Sequence, residues 1–198
     1  MSVDCPAWLE EALRAAPASK TSLAAVRLGA TLDPAAKFRL TSAAFENGEE
    51  LDPCFTAEED DSVAPPVEWT TPPEGTAEMA LIVERLSDKD EPFCHWLVWG
   101  LTAQRGKLME GEVPPRVGKN GFNNSDWALP VSPEGDQPHR FAFQLFALDT
   151  VLDLKPGAKR KDLLAAMEGH VVGFSALGTV FSGFEDDDAS WDDDDLDD

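Results

Sequence analysis

The run from His139 to Leu148 constrains this chain more than any other, because it is apolar on both faces of an extended strand. Phe141, Phe143 and Leu145 fall on one face, and Ala142, Phe146 and Leu148 on the other. Such a strand belongs inside a sheet that is covered on both sides. From Lys37 onward the rest of the chain breaks into short apolar runs separated by Pro, Gly and acidic turns, the pattern of a sandwich or barrel. Phe38 to Ser42, Met79 to Arg85 and Phe93 to Leu101 read as further strands, the last two joined by the charged loop Leu86 to Pro92. Pro156-Gly157 introduces a short helix in which Leu163, Leu164 and Met167 share a face and Gly169 supplies the C-terminal cap. His170 to Phe181 reads as a final strand, with a bulge or a close backbone approach expected at Gly173 and Gly178. Val113 to Gln137 is a long loop rich in Pro, Gly and Asn, and loops of that length are functional or flexible.

A chain of 198 residues with 42% hydrophobic content can bury one core, so a single domain is expected, with spare length at both ends. Residues 1–36 read as an N-terminal helical extension: Asp4 can cap a helix, Pro6 suits its first turn, and Trp8, Leu9, Ala12, Leu13 and Ala16 share a face that docks on the domain or on a second subunit. Ten of the 38 acidic residues lie in the last fourteen, so residues 183–198 form an acidic tail expected to be disordered, and of the net charge of -22 about -12 remains without it. That field repels nucleic-acid backbones and anionic lipid surfaces. No stretch approaches the roughly 18 to 20 apolar residues of a membrane span, and the acidic start lacks a basic, then apolar, leader. Cys5, Cys54 and Cys94 are odd in number and widely spaced, which speaks against a disulfide framework or a structural zinc site and for a reducing, cytoplasmic setting.

Pro65-Pro66-Val67-Glu68-Trp69, Pro72-Pro73-Glu74-Gly75-Thr76, a hydrophobic strand and Cys94-His95-Trp96 follow one another in the chain. Downstream come Gly118-Lys119-Asn120, Pro133-Glu134-Gly135, His139-Arg140-Phe141, Ala147-Leu148-Asp149 and Leu164 through His170. In order and approximate spacing this set, across residues 37–182, resembles the phosphatidylethanolamine-binding protein family, in its bacterial Raf-kinase-inhibitor-like branch. The resemblance implies a mainly β fold, an antiparallel β-sandwich with a few peripheral helices, often homodimeric. It also implies a small pocket at one end for phosphate-like or carboxylate anions. Carried over by position, that pocket is lined by His95, His139, Pro133, Phe93 and Phe141. Three departures stand out: Arg85 and Ser87 replace two aspartates of the pocket, Leu129 to Pro133 replaces a glycine-containing stretch and so puts Val131 at the wall, and Phe141 replaces a tyrosine.

Two imidazoles at a pocket mouth can donate N–H groups to an oxyanion, or can simply brace strand ends through hydrogen bonds. Arg85 can strengthen an anion site through its planar fork, or pair with Asp88 and seal the mouth; sealing is the preferred reading. Catalysis is not expected. Cys94 and His95 are neighbours in a strand and point to opposite faces, Ser125 and Ser132 lack a glycine-framed elbow, and His95, His139 and Asp136 have no recognised metal-ligand spacing. No cofactor or metal is called for. The expected function is recognition of a small anionic ligand, or, with a vestigial pocket, contact with a partner protein such as a kinase or protease; a weak hydrolase is the third reading. Lys155, Lys159, Arg160 and Lys161 form a dense basic cluster on which the acidic tail can fold back.

Overall fold

A computed structural model describes residues 5–17 and 19–183. Asp4 and the acidic tail from residue 184 lie outside the described residues. In chain order the elements are α1 (Ala7–Leu13), α2 (Ala24–Arg27), β1 (Leu40–Thr41), β2 (Val67–Trp69), β3 (Glu78–Arg85), β4 (Phe93–Thr102), β5 (Gly106–Leu108), β6 (Arg116–Val117), β7 (His139–Leu148), α3 (Arg160–Met167) and β8 (Val171–Phe181). The strands form two antiparallel sheets, β1-β2-β5 and β6-β4-β3-β7-β8. The fold is therefore the mainly β sandwich expected, with β7 between β3 and β8.

Alternation along β3 and β7 sorts their side chains into two layers. Met79, Leu81, Val83, Phe141, Phe143 and Leu145 face the small sheet and pack with Leu40, Val67, Trp69 and Leu108. Ala80, Ile82, Phe146 and Leu148 face the opposite side, where Ala24, Ala25, Leu163 and Met167 from the helices cover them. Residues 5–36 are laid against this outer face: Leu9, Leu23 and Val26 are buried together over Ala142 of β7. Pro6 stands just before the first helical residue and its carbonyl accepts the first turn's N–H groups.

A polar seam runs through the outer layer. Helix α2 has no capping side chain of its own, and its first N–H groups are satisfied from the sheet instead. Ala24 donates to Glu84 at 2.8 Å and Ala25 to Gln144 at 2.9 Å. The Gln144 amide donates in turn to Glu84 at 2.7 Å, and the Arg160 guanidinium binds the other Glu84 oxygen, Glu91 and the Ser22 carbonyl. Glu84 and Gln144 are fully buried, so this network is the polar exception in an otherwise apolar layer.

The expected features of β8 are present. The register with β7 slips between Ala147 and Leu148, leaving Val172 as the extra residue beside Gly173. A Cβ on Gly173 would sit 2.6 Å from the Pro73 ring, and one on Gly178 would sit 2.8 Å from the Trp8 indole, so both positions are close approaches. The long loop, by contrast, is tied down. Gly118, Gly121 and Ala128 donate to Leu97, Cys94 and His95 along the edge of β4, and the buried Asn120 side chain holds the turn through Phe122 and Asn124.

Candidate functional site

The site lies where β3 ends, β4 begins and β7 begins. Arg85 is paired with Phe93 on one side and Phe141 on the other, and His139 stands opposite Phe181. A break in register puts His95 there. Val83 pairs with Trp96 but Glu84 pairs with Cys94, so His95 is the extra residue of a β-bulge, the device that re-aims a side chain. Cys94 consequently joins the outer helical layer, while His95 packs inward among Phe93, Phe141 and Trp127 at ring distances of 4.9, 5.0 and 5.7 Å.

The two imidazoles share one aromatic neighbour. The Phe141 ring is 5.0 Å from His95 and 6.3 Å from His139, edge-on to both. Both rings also serve the same loop: Nδ1 of His95 bonds the Ala128 carbonyl, and Nδ1 of His139 bonds the Val131 carbonyl at 3.1 Å. A carbonyl only accepts, so each Nδ1 carries the proton and each Nε2, in the neutral ring, is a lone pair. In that tautomer a neutral ring offers an acceptor, not a donor, at Nε2. Burial drives the His95 pKa down to about 4 against the opposing bond to Ala128, with Arg85 and His139 adding to the fall; burial and Arg85 also lower that of His139. The Nε2 of His95 is buried and has no hydrogen-bond partner among the described residues.

Arg85 supplies the positive charge. Its guanidinium lies 5.5 Å from the centroid of the Phe93 ring, a cation–π contact, and its Nη1 is 3.4 Å from Nε2 of His139. The expected pairing with Asp88 is not made, because Asp88 binds Arg140 at 3.1 Å on the surface. Ser87, at the place of the second lost aspartate, accepts from the Lys89 and Asp90 N–H groups and only shapes the β3–β4 turn.

The remaining predicted positions are on the rim. Val131 contributes its carbonyl and is 49% exposed. Pro133 is half-buried near the end of β8, where a Cβ on Gly183 would meet it at 3.3 Å. Sequence reasoning missed Trp127, Ala128 and Phe122, whose ring is 4.9 Å from Phe93. The signal for them was the pair of aromatics, Phe122 and Trp127, inside a polar Asn-rich loop. A separate hollow of about 710 Å³, bounded by α1, residues 31–34, Arg39 and Ser175, lies away from these groups.

No helix among the described residues is long and apolar enough to cross a membrane. The chain is similar over 147 residues, at 34% identity, to a UPF0098 protein of Pyrococcus horikoshii, covering 69% of this chain and 72% of that protein. It is also 31% identical over 126 residues to LppC of Mycobacterium tuberculosis, a lipoprotein by designation, covering 62% of this chain and 61% of that one. Among solved structures, a Chlamydia trachomatis protein described as a phosphatidylethanolamine-binding protein homologue superposes with a TM-score of 0.67 at 27% identity, covering 73% of this chain and 96% of the other. Residues 41–182, which carry all but the first residue of the two sheets and every group of the site, match the family named phosphatidylethanolamine-binding protein. The chain belongs to the phosphatidylethanolamine-binding protein family.

Proposed function

We propose that this chain is a non-catalytic binding protein for a small molecule carrying a phosphate or carboxylate, held where Arg85, His95 and His139 meet. The observation that carries this reading is the half-buried Arg85 guanidinium, which pairs with no carboxylate among the described residues and keeps N–H donors in hand beside two neutral imidazoles. The anion binds Arg85. A monoprotonated phosphate suits the site better than a carboxylate, because its O–H can donate to an imidazole lone pair while its other oxygens face the guanidinium. Two of the side chains weighed as nucleophiles are engaged elsewhere: the Ser132 hydroxyl donates to Glu58, and Cys94 faces the helical layer, where burial pushes its thiol pKa well above the usual range. A cytoplasmic setting belongs to the same reading and is supported by three unpaired cysteines.

Isothermal titration with inorganic phosphate and with small phosphomonoesters tests the proposal. Wild type releases heat, and Arg85→Ala binds roughly tenfold or more weakly, since a hydrogen bond to a charged group contributes about 1.5–3 kcal/mol. Silence from wild type, or equal binding by the variant, removes the reading. A protein ligand presenting an acidic side chain is the second reading, favoured by the exposed Phe122 and Val131 that flank the site at 61% and 49% exposure.

A further inference from the structure

A cleft of about 430 Å³ borders Phe93 and is lined by neither histidine of the site. Lys119, Lys159, Arg160 and Lys161 line it, together with Glu91 and Asn120. Backbone pairing makes the crowding of charge obligatory. Lys119 and Lys159 form a parallel bridge, and the Lys119 N–H donates to Ala158 at 2.9 Å, so two like charges are held side by side. Arg160 is already bound to Glu84 and Glu91, but no carboxylate among the described residues pairs with Lys119, Lys159 or Lys161. Cations also crowd the start of α3, where the helix dipole disfavours them. Even with Glu91 in its lining and Asp162 in the first turn of α3, the cleft thus gathers three lysines without an ion-pair partner among the described residues, on a chain whose first 183 residues still carry a net charge of about -12, the -22 total less ten tail carboxylates.

Such a surface fits an acidic, extended peptide. We infer that its occupant is the chain's own C-terminal segment, Glu185 to Asp198, which holds ten carboxylates and no basic residue. The described chain ends in the right place. Phe181 pairs with His139, and Gly183 abuts Ser132 and Pro133, so the tail departs from the same end of the sheet as the cleft. From β8 to β4 is three strand spacings, about 15 Å, whereas a stretch of fifteen residues can span up to about 50 Å. Tethering at that length corresponds to roughly millimolar effective concentration, which favours this tail over a free acidic peptide of equal affinity.

Carbodiimide coupling of the full-length protein at low ionic strength, read by peptide mass spectrometry, tests the inference. Amide links are expected between Glu185–Asp198 and Lys119, Lys159 or Lys161 in monomeric product, dropping about tenfold near 1 M salt, where the Debye length shrinks to about 3 Å. Tail links scattered evenly over Lys20, Lys37, Lys89 and Lys107 would overturn it. So would links found only in covalent dimers, which would make the occupant a second copy's tail. An independent readout is cleavage of the tail by a Glu/Asp-specific protease at low salt: the triple variant Lys119→Ser, Lys159→Ser, Lys161→Ser is expected to lose its tail several-fold faster than wild type. Equal rates would count against docking. Neither readout involves Arg85 or the histidines, so the result is separate from that of phosphate binding.

Discussion

His95 shows how one bulged residue acquires a defined chemical state. It is 3% exposed, and burial holds its pKa near 4, well under the ordinary histidine value of 6.5. Between about pH 6.5 and pH 4 the unfolded chain therefore takes up a proton that the folded chain refuses, so stability falls as pH is lowered through that window, by roughly 3 kcal/mol once pH is below the folded value. His95→Asn keeps an N–H donor near the Ala128 carbonyl but cannot titrate. Denaturant unfolding at several pH values is expected to show a shallower decline for the variant than for wild type over that window; parallel curves would show that His95 is not the group responsible. The sequence was informative here about identity and less so about geometry. That Arg85 and Ser87 stand where the family pattern carries two aspartates came from the resemblance, not from spacing. That Asp88 prefers Arg140, and that both Nδ1 atoms are committed to one loop, depends on where the loop carbonyls fall in space.

Among the elements, those with full periodicity were read closely and those without it were not. β7 was placed at its observed bounds because ten residues give a clear pattern, whereas β5 and β6, of three and two residues, are too short to carry one. Helix α2 is the instructive case. Four residues cannot sustain a helix alone, and its N–H groups are capped by Glu84 and Gln144, 60 and 119 positions away. Glu84→Ala removes at once the acceptor for Ala24, Gln144 and Arg160, and a loss of about 3–5 kcal/mol is expected from breaking a buried charged pair. Thermal and denaturant unfolding of the variant provides the check. A loss below 1 kcal/mol, the range of exposed ion pairs, would mean that water replaces the carboxylate.

At the level of the whole molecule the N-terminal segment supplies the second cover for the large sheet. Removing residues 1–36 uncovers Ala80, Ile82 and Ala142 and leaves Glu84 and Gln144 without their Ala24 and Ala25 donors. The truncated protein is expected to expose apolar surface and associate, read as dye binding and early elution on size exclusion; a stable monomer would show that residues 37–183 close their own outer layer. Strand periods, the doubly apolar β7, the glycine breaks in β8 and the acidic end are properties of neighbouring residues, and neighbours are what a chain displays along its length. The bulge at His95, the shared Phe141 contact and the capping of α2 arise from pairings across strands and layers. Those were settled by folding, because each joins groups that are distant along the chain and interact only once packing brings them within hydrogen-bond or van der Waals reach.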